Sequence, residues 1–307
     1  MRWRDVILPL LIFAALALAP FVGFGQGHSL TLLARAMIFG MAAISLSLLV
    51  GGAGLISLGH AALLGIGAYA VVVLDHARVT DALLVVPIAV AAAALFALLT
   101  GAVAIRTSGV HFIMITLAFG QMAFFTASSL ALYGGDDGYT LYGRLELGGS
   151  RLLEDRLFFH FACLALLAGT WLLVEALLRS RFGRVLRAAR ENEMRARAVG
   201  FAPYPFRLAS YVIAGAIAGL AGVMLANSAE FVAPAYLTWQ RSGDLLFMVI
   251  LGGLAGPHGA LMGALAFVLI EEWLSHLTEH WRLIFGPLLV LCVFFMRDGI
   301  AGLLRRG

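Results

Sequence analysis

His276 and His280 stand four residues apart with Glu279 beside them, the spacing at which one helix face presents two imidazoles to a metal ion. They fall in a turn between two apolar stretches where no further ligand is evident, so the sequence predicts no metal site. His60, His111 and His258 are possible ligands or acid–base groups, yet no carboxylate lies near them in sequence and the glycine-rich settings look structural, which ranks a membrane enzyme last. Arg35, Glu175, Glu271 and Glu272 are the charged residues in or at the edges of apolar stretches, where such groups ordinarily serve as relays. Glu175 and the Glu271/Glu272 pair lie near stretch ends, and Arg35, about one turn in, can snorkel to the interface; no proton relay is evident. The 21 basic residues are all arginine, so neither a P-loop nor a Schiff base can be built here. Cys163 and Cys292 both fall in apolar stretches and read as small hydrophobes.

The elements that must hold these residues are set by composition. The chain is 62% hydrophobic and 12% charged, with a mean hydropathy of +0.97. Ordinary soluble domains are roughly half apolar and about a quarter charged, so the chain is an all-α integral membrane protein. Apolar runs near 6–25, 30–50, 55–74, 82–104, 110–132, 157–178, 207–228, 243–256, 259–275 and 281–296 predict about ten transmembrane helices in a single domain spanning 1–307. The opening MRWRDVILPLLIFAALALAP has features of a signal peptide, but Pro20 and the length of the run favour an uncleaved first span. Arg2, Arg4, Arg106, the seven arginines between 179 and 197, Arg305 and Arg306 place both termini in the cytoplasm by the positive-inside rule. The loop 133–156, with a net charge of −2, is then external; its YGGDDGY (133–139) is either a docking contact through Asp136 and Asp137 or an ordinary turn. Arginines at span ends reflect orientation, and no nucleic-acid partner is expected.

The eighth run, DLLFMVILGGLAGP, is too short to cross about 30 Å as one ideal helix, which predicts one or two broken or half-depth helices. The same place holds an internal echo: His60-Ala-Ala-Leu-Leu-Gly65 and His258-Gly-Ala-Leu-Met-Gly263 each follow a Gly-Gly pair. Interrupted helices offer backbone groups to a zwitterion, so the expected pathway comprises Gly52, Gly54, Ser57, Gly59 and His60 with Gly253, Gly256 and His258, joined by Thr116 and Gln121 on the fifth span. Ser128 and Thr126 add polar groups on that span. Close helix packing competes as the role of these glycines, as it does for Gly215-x-x-x-Gly219 and Gly259-x-x-x-Gly263.

A third of the arginines crowd into RSRFGRVLRAARENEMRARAVG, residues 179–200. Val185, Leu186, Ala189, Ala196 and Val199 recur near helical spacing, Glu191–Arg195 and Glu193–Arg197 are favourable pairs, and Gly200 with Pro203 and Pro205 reads as a stop. The sequence thus predicts one capped amphipathic helix. It either lies on anionic lipid or docks a cytoplasmic protein; its glutamates and its mostly alanine stripe favour docking.

GGAGLISLGHAALLGIGAYA (51–70), GVHFIMITLAFGQM (109–122), YGGDDGY (133–139), RFGRVLRAARENEMRARAVGF (181–201) and GGLAGPHGALMGA (252–264) together resemble the membrane permeases of branched-chain amino acid ABC importers, the LivM type. His111, where the family often has an aromatic residue, and Pro203 and Pro205 depart from its pattern. The resemblance implies an inner-membrane importer subunit working by alternating access with a sister permease, two P-loop ATPases and a periplasmic binding protein. It implies an ATPase-coupling loop at 179–206 carried by Arg184, Arg187, Arg190, Glu191, Asn192, Glu193 and Gly200. ATP and Mg would belong to the ATPases, with no cofactor on this chain. A self-sufficient secondary transporter or channel for a small polar solute such as urea or an amide is the alternative.

Overall fold

Runs of Leu, Ala, Val and Ile can close every backbone hydrogen bond only within helices once water is excluded, and the described chain is helical almost throughout. The computed structural model describes residues 4–22, 27–254, 256–277, 280, 283–287, 290 and 299–306. The helices are α1 (Arg4–Leu18), α2 (Gly27–Ser47), α3 (His60–His76), α4 (Ala82–Ala104), α5 (Val110–Ser129), α6 (Arg156–Arg179), α7 (Arg181–Glu191), α8 (Glu193–Ala198), α9 (Pro203–Ala229), α10 (Trp239–Gly252), α11 (Pro257–Leu277) and α12 (Gly299–Arg306). Six of the described helices are long and apolar enough to cross a membrane, making the chain a multi-pass membrane protein. Most of the expected tenth span lies outside the described residues, as do Arg2, Glu279 and Cys292.

α2 is the hub of the bundle. Its most apolar window is 89% buried, against 22% for α5 at the rim, and it packs against α6, α9, α10 and α11. Small residues permit that density. A methyl on Gly215 or Gly219 of α9 would collide with Ala97 or Ala93 of α4, and one on Gly259 or Gly263 of α11 would collide with the backbone of α10. Both small-x-x-x-small pairs therefore do what the sequence suggests, letting backbones approach where dispersion and shape drive association in lipid.

The interrupted helices lie where expected, with altered bounds. α2 runs into a π turn, Leu48–Ala53, and the left-handed Gly54; an extended segment then leads to α3, which starts at His60. α10 has 14 residues and begins at Trp239, not 243; at 1.5 Å per residue it is about 21 Å long. At the end of the bundle away from the arginine loop, β1 (Tyr139–Thr140) pairs antiparallel with β2 (Phe231–Val232). Buried Asn227 ties this loop down, accepting from Leu145 N and donating to Val223 O.

Three expectations about the arginine segment need correction. It is two helices, not one: Asn192 adopts an extended conformation and its side chain caps α8 at Arg195 N, so the predicted Glu191–Arg195 pair straddles a break. Pro203 starts α9 instead of only ending what precedes it, because a proline at the first helical position loses no hydrogen bond. The loop expected over 179–206 consequently ends at 202, with 203–206 belonging to α9. Gly200, at φ +94°, is the predicted left-handed stop.

Candidate functional site

The arginine loop is anchored from within. Ser180 caps α7 through Phe182 N, and Val185, Leu186, Ala189 and Ala196 face inward. Glu193 receives Arg197 at 2.5 Å and Arg207 of α9 at 2.7 Å, while Arg207 also donates to Ala189 O. Partial burial pushes the Glu193 carboxyl up, but hydrogen bonds and charge from Arg207 and Arg197 outweigh it and hold the group below the usual carboxylate range. Arg184, Arg187, Glu191 and Asn192 are exposed, as are Met194 at 83% and Val199 at 71%. The outer face is thus mixed charge and hydrocarbon, a surface suited to a protein groove. A cleft of about 320 Å³ between Arg106, Thr107 and Glu193 separates the loop from the α4–α5 turn.

Arg190 points the other way. Its guanidinium donates to the carbonyl of Gly51, and its aliphatic stem fills the space beside Gly54. Gly54 has φ +71°, so a side chain there would be strained as well as displaced. The surface loop is joined in this way to the first glycine stretch. Beyond it, Gly59 lies against the Thr116 backbone of α5, closer than any side chain would permit, and Ser57 Oγ accepts from Gly59 N at 3.3 Å. Ser242 of α10 accepts from Ala61 N at 3.0 Å, satisfying an orphan donor at the start of α3. Ser45 donates to Ala42 O, so the 2.7 Å contact between Ser45 and His60 Nε2 has the imidazole as donor. His60 Nδ1 is then a bare acceptor, buried without a partner, a condition that costs about 1–3 kcal/mol.

The second stretch is built differently. Gly252 and Gly253 pack against α11 and α12 backbone, and Gly51 meets Leu254 O, so the two stretches touch at the arginine-loop end. His258 does not approach His60's partners. Its Nδ1 accepts from Trp171 Nε1 at 3.0 Å, leaving the Nε2 proton directed toward Glu175 at 3.7 Å, and Glu175 also holds Arg179 at 2.5 Å. Gly256 has open space around it. Thr116 spends its hydroxyl on Ile113 O, and Gln121 is half-buried on the rim helix.

At the end opposite the arginine loop, a cavity of about 570 Å³ is lined by Trp239, Arg241, Asp244, Phe247, Phe267 and Glu271. Such a volume suits a small polar molecule. Arg35 bonds both Glu271 oxygens at 3.1 Å, and the Arg35 and Arg241 guanidiniums each lie 5.8 Å from the buried Phe39 ring. Arg35 is therefore held in an ion pair, where the sequence suggested only snorkelling. A separate small void lined by Phe39, Ala61 and Arg241 lies beside the start of α3 and shares Arg241 with this cavity.

A family model described as branched-chain amino acid transport system / permease component matches residues 29–293. The chain belongs to this family. The high-affinity branched-chain amino acid transport permease protein LivM of Escherichia coli K12 is 29% identical over 293 residues, covering 88% of this chain and 69% of that protein. The probable branched-chain amino acid transport permease protein LivH of Methanocaldococcus jannaschii is 32% identical over 142 residues, 43% of this chain and 42% of that protein. No solved structure matches the chain.

As a permease component, the chain carries out transport and not catalysis. Sequence reasoning missed the Arg207–Glu193 and Arg35–Glu271 pairs, whose members are distant in sequence, and Arg241 and Asp244, which pair one turn apart on α10 and matter only through the cavity they line. His276, noted in the sequence only for its spacing to His280, has a partner on its own helix and another on α2. α11 ends at Leu277, and His276 Nε2 lies 3.3 Å from Glu272 Oε1, one turn back, while His28 of α2 meets the same oxygen at 3.0 Å.

Proposed function

We propose that this permease is the transmembrane subunit of an ATP-driven importer that moves branched-chain or related amino acids across the bacterial inner membrane by alternating access. In this reading the arginine loop and both termini face the cytoplasm. A sister permease pairs with this chain, two cytoplasmic ATPases hold ATP and Mg, and a periplasmic protein delivers substrate to the opposite end. The family match and the LivM and LivH relatives support the amino acid class.

The observation that carries the coupling role is the two-sidedness of the loop. Arg184, Arg187, Glu191, Asn192 and Met194 face outward, Glu193 is clamped inward by Arg207, and Arg190 grips the Gly51 carbonyl. A force on the outer face reaches the first glycine stretch through one residue. The Arg241, Asp244 and Glu271 cavity offers both charges a zwitterion needs, and the bare His60 Nδ1 is an acceptor that a passing ammonium would satisfy. Apolar faces of α4 and α5, including Leu84, Met114 and Phe125, meet lipid or the sister permease.

Exposed loop residues test docking, because Glu193 substitutions would disrupt the loop itself. Purification of the Arg187→Glu/Met194→Glu variant from native membranes is expected to lose a P-loop ATPase that wild type retains, with membrane insertion unchanged. Unaltered ATPase recovery and uptake would sink the coupling role. Transport by the lone chain in liposomes without ATP would instead establish a secondary transporter or channel.

A further inference from the structure

His28, Glu272 and His276 are brought together by two helices whose ends are 244 residues apart in sequence. His28 occupies the first turn of α2, one imidazole on the face that carries Arg35 two turns later. Glu272 and His276 stand four apart in the last turns of α11, on a common face. Glu272 Oε1 is central, 3.0 Å from His28 Nε2 and 3.3 Å from His276 Nε2, and all three donor atoms lie within 4.8 Å of one another. Donors held about 2.0–2.1 Å from a tetrahedral zinc ion lie about 3.4 Å apart, so two of the three separations already match a coordination edge. Both histidines are more than 70% exposed, which leaves their rotamers free to close the third.

We propose that these residues form a binding site for a divalent cation of the zinc class, joining the start of α2 to the end of α11. Two imidazoles and one carboxylate are the donor set of borderline transition ions, with solvent completing the coordination. The chemistry disfavours calcium and magnesium, which require oxygen-rich sites. The neighbouring carboxylate, Glu271, is neutralised by Arg35 and so does not compete for the ion. Bound metal would lock a second layer of the α2–α11 contact above the Arg35–Glu271 pair.

The test is Co²⁺ titration of the purified full chain in lipid nanodiscs, read by visible ligand-field absorption, with Zn²⁺ displacement. Wild type is expected to bind one ion per chain, and His28→Ala, Glu272→Gln and His276→Ala are each expected to lose at least tenfold in affinity. The exposed His111→Ala variant should bind as wild type does. Zn²⁺ should also raise the thermal unfolding midpoint of wild type and leave that of the triple variant unmoved. Absence of a Co²⁺ band, or a band that survives all three substitutions, overturns the site. Loss with Glu272→Gln and His276→Ala but not with His28→Ala overturns the bridge between helices. Binding is read without transport, so failure here leaves the importer reading intact and the converse holds too.

Discussion

The stretches 51–60 and 252–258 carry the same pattern, a glycine pair followed by a histidine at the start of a helix, yet the molecule uses them differently. The first leaves α2 by a π turn, crosses an extended segment and delivers His60 into full burial against Ser45. The second turns tightly between α10 and α11 and leaves His258 near the arginine-loop end, bonded to Trp171 and facing Glu175. Shared sequence gives shared local geometry, a helix beginning at the histidine or the residue before it. What the histidine then does depends on the neighbouring helix: α2 offers a hydroxyl inside the core, α6 an indole and a carboxylate at its margin.

The largest expected effect sharpens this contrast through packing. Gly252→Ala forces a methyl into the α11 backbone and should destabilise by about 2–3 kcal/mol, whereas Gly256→Ala meets open space and only backbone strain, about 1–2 kcal/mol. Unfolding of the solubilised chain measures both, and equal losses would break the packing assignment. Next, His60→Ala should cost about 2 kcal/mol, from a cavity and the donor lost to Ser45 Oγ, partly offset by removal of the unpartnered Nδ1. His258→Ala should cost about 1 kcal/mol, the loss of an acceptor for Trp171. A reversed order would show that the core histidine is the dispensable one.

Smaller effects separate the stretches by their connection to the surface. Arg190→Ala removes about 1 kcal/mol of hydrogen bonding, so amide exchange around Gly51–Leu55 should quicken about fivefold while 252–256 is unchanged. Quickening at both would mean that their contact at Leu254 transmits the change. Smallest is the pH dependence at Glu193. Its folded carboxyl titrates below the unfolded value, so its stabilisation is complete above the unfolded value and is lost as pH falls through the folded one. Screening at this partly exposed group limits the effect to about 0.5–1 kcal/mol. Thermal unfolding at descending pH should show the loss in wild type, and Glu193→Gln should abolish that dependence.

Much of this architecture is legible in the chain. The apolar runs locate α2–α6 and α9–α11 to within about five residues, the Gly-x-x-x-Gly pairs announce close crossings, and Gly200 marks its stop. Two local signals were present but outweighed: Asn192 followed by Glu193 is an N-cap with an acidic first turn, and Pro203 suits a helix start. They were hidden by an apolar spacing that continues across the break. The Arg35–Glu271 pair, the Arg207–Glu193 clamp across the α8–α9 turn and the His28–Glu272–His276 cluster depend on how helices are set beside one another, and periodicity along one helix carries no information about its neighbour's register.

Arg190 bonds a main-chain carbonyl, and that choice has a consequence for mutation. Every amino acid at position 51 supplies the same oxygen, so no change of that side chain's chemistry deletes the acceptor itself. The donor enjoys no such immunity, since few residues reach as far or donate as well. The link between loop and core is therefore lost chemically only at 190, whereas a side chain at 51 keeps the acceptor and disturbs the link solely by crowding Leu254 O.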